Sequence, residues 1–187
     1  MIKFWSYNRE LKKYKKKIFS KINKSLNSGQ IFFGNELFDF ERKFTKKNRS
    51  KYGVAVGSGT EALFIALKSI GIKKGDEVIT AANTAIPTIS AIRSTGASPK
   101  LVDIGSDYLI DPLKIEKEIT KKTKVIIPVH LYGQMANMSE ICKIATDNNL
   151  FVIEDCAQSH FSKLNNVNAG LFGDVGTFSF YSQLQTR

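Results

Sequence analysis

The sequence predicts an α/β protein: a mostly parallel, doubly wound sheet between two helical layers (α/β/α). Three observations predict it. Residues 124–129 and 150–154 are near-continuous apolar runs, as expected of strands covered on both faces. Short strand-like and helix-like segments alternate from residue 54 onward, the pattern of parallel strands joined by right-handed crossovers. A glycine turn, Gly57-Ser58-Gly59, joins the apolar run Val54-Ala55-Val56 to an amphipathic run that starts at Leu63.

Residues 8–28 read as one helix, because Leu11, Tyr14, Ile18, Ile22 and Leu26 fall at three- and four-residue steps with lysines between them. Ser28-Gly29 stops it. Residues 1–30 are therefore a basic amphipathic helical arm, and residues 31–187 one larger domain. The arm's apolar stripe suits packing on its own domain or on a second subunit, with a membrane surface as the alternative. Residues 36–47 read as a helix with Leu37, Phe40 and Phe44 on one face. The strand at 54–56, the glycine turn and a helix to about Ile70 follow. Gly71 and Gly75 punctuate before a strand at 77–80. Residues 82–88 are loop-like, and the next helix, through Ile92, ends at Gly96. Residues 100–103 are a strand ending in the carboxylate of Asp103. Asp111-Pro112 opens a helix to about Ile119, with proline in the favoured first turn. Residues 138–148 are helical, and Asp155 closes the strand at 150–154. Gly173 and Gly176 read as flanking a turn, and residues 177–181 as the last strand.

The 187 residues can bury one good core. The net charge of +11 raises the question of nucleic acid, but lysine supplies most of it, and about half of the basic residues lie before Gly53. No helix-turn-helix, zinc-finger or RNA-binding signature accompanies it, so solvated surface lysine is expected and no nucleic-acid partner. No apolar run approaches the roughly 20 residues of a membrane span, and residues 1–6 carry no leader-type apolar segment. Phe4-Trp5 is a candidate anchor for a partner chain. Cys142 and Cys156 show neither CxxC nor metal spacing, which suits a reduced, cytoplasmic protein, with Cys156 as buried packing.

A strand that turns through glycines into a helix presents unpaired backbone N–H groups at the helix N-terminus, a ready anion site. The hydroxyls of Ser58 and Thr60 add donors. Ligands of doubly wound sheets lie beyond the carboxyl ends of the strands. The glycine turn, Asp103, His130, Asp155 and Ser179 all fall at or near such ends. Two phosphate-bearing cofactors compete for the turn. Gly57 to Ala62 matches G-x-G-x-x-A literally, but the dinucleotide fingerprint also needs an acidic residue at the far end of the second strand. Asp76 and Glu77 instead precede that strand, and Thr80-Ala81-Ala82 ends it. Pyridoxal phosphate needs a phosphate site, a carboxylate for the pyridine nitrogen and a lysine for a Schiff base. Asp155 is placed for the second of these.

Five stretches, in order, carry a resemblance. They are Gly57-Ser58-Gly59-Thr60-Glu61-Ala62-Leu63, Gly75-Asp76-Glu77-Val78-Ile79, Ile127-Pro128-Val129-His130-Leu131-Tyr132-Gly133-Gln134, Glu154-Asp155-Cys156-Ala157-Gln158-Ser159-His160, and residues 173–181. With them the chain resembles the DegT/DnrJ/EryC1/StrS family of pyridoxal-phosphate-dependent sugar aminotransferases, over nearly all of it from Phe33 onward. The resemblance implies the large domain of a fold type I pyridoxal-phosphate enzyme. It implies that Ser58, Gly59 and Thr60 hold the cofactor phosphate and that Ser179 reaches it from the far side. It implies that Asp155 pairs with the pyridine nitrogen and that Gln158 lies near the phenolic oxygen. Residues 83–88 would line the ring, with Ala85 where many relatives carry an aromatic residue. His130 and His160 are candidate substrate-facing residues, or else structurally satisfied histidines. The implied reaction loads the cofactor as pyridoxamine phosphate from glutamate and aminates a nucleotide-linked keto-deoxysugar for cell-surface polysaccharide, in a homodimer.

One departure bears on chemistry. The family's Schiff-base lysine stands five places after the serine, and that place is Leu184 here. Residues 182–187 match nothing in the family, no lysine follows Lys163, and the family's small C-terminal domain is not represented. Leucine forms no Schiff base and shuttles no proton. The expectation is a truncated, N-terminal portion of the enzyme without turnover of its own, with an unpaired sheet edge. A non-catalytic protein that holds pyridoxal or pyridoxamine phosphate without a covalent bond is the second reading, and an NAD-dependent oxidoreductase the third.

Overall fold

The computed structural model describes residues 7–181. Phe4-Trp5 and Leu184, singled out above, lie outside the described residues. The chain forms two compact units, one of residues up to 46 together with 51–55, the other of residues 47–50 and 56 onward.

The first unit holds α1 (Tyr7–Asn27) and most of α2 (Asn35–Asn48). Tyr14, Ile18, Ile22 and Leu26 on the apolar stripe of α1 are 41–55% exposed, so this chain by itself leaves the stripe uncovered. In α2, Phe40 and Phe44 stack at 6.0 Å. Asp39 accepts from Arg42 and Lys43, and these bonds hold its carboxyl at a pKa of about 2. The Glu41 carboxylate accepts the Ala55 N–H at 2.8 Å.

The second unit carries the sheet. Its elements are α3 (Gly59–Ser69), β1 (Glu77–Ala81), α4 (Ile86–Ser94), β2 (Ser98–Val102), α5 (Pro112–Glu118), β3 (Thr123–Ile127), α6 (Met138–Asp147), β4 (Phe151–Asp155), the two-residue strands β5 (Lys163–Leu164) and β6 (Val167–Asn168), and β7 (Val175–Thr177). Five strands pair in the order β2-β1-β3-β4-β7, every pair parallel. The period-2 alternation of the strands splits the core into two clusters. Val78, Val125, Ile127 and Ile153 pack with Leu63 and Leu67 of α3 and Ile92 of α4. Ile79, Ile126 and Val152 pack with Ile115 of α5 and Met138, Ile141 and Ile144 of α6. The architecture is the α/β/α sandwich the sequence predicts. The edge strand β2 contains Pro99, tolerated at an edge because the ring removes a donor only one side of the ladder would use.

Two expected strands differ. Residues 54–56 form no strand. The Ala55 N–H is taken by Glu41 and the Gly57 N–H by the Glu61 carboxylate at 2.6 Å, so side chains satisfy donors that a strand would have spent on a neighbour. The last strand is residues 175–177, not 177–181. Gly176 lies inside it, paired with Glu154, rather than at a turn. Pairing stops where β4 stops, because Asp155 is opposite Thr177. Beyond it the Tyr181 N–H turns back to Ser179 Oγ at 3.3 Å. The β5–β6 hairpin turns on Asn165 and Asn166, both left-handed (φ 50° and 64°), the asparagine-rich signature of a two-residue turn. The strand and helix patterns above do not include this hairpin.

Candidate cofactor site

Ser58 is the N-cap of α3: its backbone is extended and its Oγ accepts the Glu61 N–H at 3.1 Å. Glu61 reaches back to the Gly57 N–H, a reciprocal arrangement that stiffens the turn. Among the described residues nothing accepts from the Gly59 and Thr60 N–H groups, which stand free at the positive end of the helix. Gly59 has no room for a side chain. A Cβ there would lie 2.8 Å from Ser179 Cβ and 3.3 Å from its Oγ. The structure thus brings Ser58, Gly59, Thr60 and Ser179 to one place, as a phosphate cradle requires.

Asp155 ends β4 and is 5% exposed. Its Oδ2 accepts the Thr88 hydroxyl at 2.9 Å, and Thr88 in turn accepts from Thr84 at 2.8 Å. Its Oδ1 accepts the Ala157 N–H at 3.1 Å. Burial pushes its pKa up, opposed by those two bonds. A carboxylate so desolvated gains most from a cationic partner, because charge-assisted bonds strengthen where water is excluded. Asp155 pairs with Thr177, and Ser179 lies two residues on, no more than about 7 Å of chain. The carboxylate and the phosphate cradle therefore share one corner of the sheet's carboxyl edge.

Gln158 accepts the Tyr132 N–H through Oε1 at 3.1 Å. Tyr132 is held left-handed (φ 57°), and Ser162 Oγ bonds the Gly133 carbonyl at 2.8 Å, so the segment after β3 is stapled to the segment after β4. The two histidines have different surroundings. His130 has no exposed surface, and both ring nitrogens are bonded inside, Nε2 to Glu154 at 2.9 Å and Nδ1 to the Ala136 N–H at 3.2 Å. His160 packs against Phe178 and Phe180, with centroids at 5.6 and 5.1 Å. Its Nε2 is buried and has no partner among the described residues. Burial lowers its pKa, opposed by a bond to the Ser179 backbone. Asp103 is exposed and paired with Lys114 at 3.3 Å. Sequence reasoning missed Glu154. The signal available was the Glu-Asp pair itself, since alternation sends consecutive strand residues to opposite faces. His130, Glu154 and Cys156 bring donor atoms within 4.8 Å of one another. Hydrogen bonds already use both His130 nitrogens and both Glu154 oxygens, and burial pushes the Cys156 thiol well up, so the trio is a protein network and not a metal site.

A doubly wound sheet with unpaired amides at a glycine-initiated helix and a buried carboxylate one strand away is a domain made for an anionic cofactor that also carries a basic nitrogen. The chain belongs to the DegT/DnrJ/EryC1/StrS aminotransferase family, whose profile matches residues 12–185. It is 46% identical over 182 residues to the dTDP-3-amino-3,6-dideoxy-alpha-D-galactopyranose transaminase of Aneurinibacillus thermoaerophilus, covering 96% of this chain and 50% of that one. Among solved structures it is similar to S. venezuelae DesV in complex with ketimine intermediate (TM-score 0.93, 35% identity, 96% of this chain and 49% of that one). It is also similar to NtdA of Bacillus subtilis with bound cofactor PMP (TM-score 0.82, 38% identity, 88% and 37%). The chain spans half or less of the length of these relatives.

Proposed function

We propose that this chain is the cofactor-holding part of a pyridoxal-phosphate-dependent aminotransferase of nucleotide-linked keto-deoxysugars, with glutamate as amino donor. The observation that carries the proposal is the shared corner of buried Asp155 and the Ser58–Thr60 and Ser179 cradle. The relatives' dTDP-sugar substrate and bound PMP support it. When bound, the cofactor serves as an electron sink for the amino carbon. The chain's own residues do the rest. The Gly59 and Thr60 amides and the Ser58, Thr60 and Ser179 hydroxyls bind the phosphate. Asp155 keeps the ring nitrogen protonated. Thr88 fixes the direction of that carboxylate. Gln158, its Oε1 held by the Tyr132 N–H, would be the residue facing the phenolic oxygen. Leucine stands at 184, the place of the family's Schiff-base lysine, so this position offers the cofactor no amine for a covalent bond. The exposed stripe of α1 supports a pair of identical chains, and the relatives' dTDP-sugar names support a cytoplasmic protein; neither a nucleic-acid nor a membrane partner is part of the proposal.

Equilibrium dialysis of the purified chain with pyridoxamine phosphate tests the reading. Saturable binding is expected, weakened on the order of tenfold or more by Asp155→Ala, which removes a charged hydrogen-bond partner. Binding that is absent, or indifferent to Asp155→Ala, would sink it. Pyridoxal phosphate followed by borohydride should label no single lysine stoichiometrically.

A further inference from the structure

Glu154 has no exposed surface, and its carboxylate accepts four hydrogen bonds. They come from His130 Nε2 (2.9 Å) and from the N–H groups of Gly170 (2.9 Å), Phe172 (2.7 Å) and Gly173 (2.8 Å). Because His130 Nδ1 accepts the Ala136 N–H, the ring is neutral with its proton on Nε2. Each donor belongs to a segment that leads into the candidate site. The segment after β3 carries Tyr132, which orients Gln158. The 170–173 loop leads into β7 and so to Ser179. Glu154 itself precedes Asp155. The loop runs so close to the sheet that side chains are excluded: a Cβ at Gly173 would lie 2.6 Å from the Val152 carbonyl oxygen, and one at Gly176 2.5 Å from Gly170 Cα.

We propose that Glu154, with His130, is a positioning residue that acts from the opposite face of the sheet to Asp155. By gathering the segment after β3 and the loop before β7 onto β4, it sets where Asp155 stands relative to the Gly59–Ser179 cradle. The inference rests on the reading of that corner as the cofactor site. Glutamine cannot replace this glutamate. In Glu154→Gln the new side-chain amide would turn donors of its own toward the Gly170 N–H and the His130 Nε2–H, and the ring cannot switch tautomer without opposing the Ala136 N–H.

The test uses the whole chain, labelled for NMR, and three readouts. In the unchanged chain, nitrogen shifts should show His130 as the Nε2–H tautomer; the Nδ1–H tautomer would overturn the network. In Glu154→Gln, the Asp155 carboxyl should titrate nearer the ordinary 3.8 as the corner loosens and hydrates, while amide protection in β1 and β3 stays. If instead the 170, 172 and 173 amides lose protection and Asp155 titrates as before, Glu154 is structural only and the inference fails. Should Glu154→Gln not fold, His130→Leu removes the imidazole donor, one of the four, and supplies no other; it is read in the same way, with the same outcome overturning it. Pyridoxamine phosphate should bind Glu154→Gln on the order of tenfold more weakly. Failure of the unchanged chain to bind would sink the cofactor reading, and the Asp155 titration would still decide the role of Glu154.

Discussion

Glu154 collects four donors on one face of β4, whereas Asp155 collects two on the other. Their pKa directions follow. For Glu154 burial pushes up, but His130 and the Gly173 and Gly170 amides more than offset it, and the net direction is down. Its contribution to stability is present above its ordinary 4.5 and is lost as pH falls through the lowered folded value. Asp155 has the opposite sign. Its folded pKa is raised from 3.8, so its contribution is present in acid and is lost as pH rises through the folded value. Asp155→Asn should therefore stabilise the chain at neutral pH by about 1 kcal/mol, with the advantage shrinking toward zero in acid. Thermal melts from about pH 4 to 8 check it, and a flat difference across that range would contradict the assigned sign. The same variant should bind pyridoxamine phosphate poorly, since a neutral amide holds no ring proton. That is the expected trade of stability for function at a site built around a desolvated charge.

At the scale of elements, the close approach of the 170–173 loop to β7 makes backbone and not side chain the packing surface. Gly170 is left-handed (φ 82°), and a Cβ at Gly176 would meet Gly170 Cα and carbonyl oxygen at 2.5 and 2.7 Å. Gly176→Ala should cost about 1–3 kcal/mol in urea unfolding, because backbone and not a flexible side chain must yield. Gly59→Ala meets only the Ser179 side chain and the Cα behind it and should cost less, yet it should weaken phosphate-dependent binding more, because the displaced group is Ser179 itself. These elements also divide what the sequence made legible. Strands β1, β3 and β4 were readable because each buries four of its five residues, on both faces, and three of each five are apolar. Helix α5 was readable from its Asp111 cap and Pro112. Residues 54–56 look equally strand-like, but their amides answer to Glu41 and Glu61, which no local pattern announces. The end of β7 was set by where β4 ends, a fact of register between segments 22 residues apart in the pairing of Asp155 with Thr177. For the proposed site, Asp155 and Ser179 came forward through placement at or near strand ends and Ser58 through its glycine turn, with their roles implied by the family resemblance. Glu154 did not, because three of its four donors are backbone amides, which no side-chain pattern pairs with a distant residue.

For the whole chain, charge and exposed apolar surface pull in opposite directions. The formal charge of +11 makes two copies repel, and much of it sits on the lysine-rich helix that also shows the uncovered stripe of Tyr14, Ile18, Ile22 and Leu26. A contiguous apolar stripe on a helix favours association, while like charges around it oppose association over a screening length of about 10 Å at 0.1 M salt. If identical chains pair through α1, added salt must strengthen the pair, because it weakens the repulsion and leaves the apolar term intact. Sedimentation velocity at about 20 and 300 mM salt should then show the larger species rising with salt in the unchanged chain. Ile18→Ser with Leu26→Ser should abolish it, while altering the thermal midpoint little, since both side chains are already 41–55% exposed. A salt-independent monomer, or association that survives the double substitution, would move the interface away from α1 and leave the stripe to a different partner.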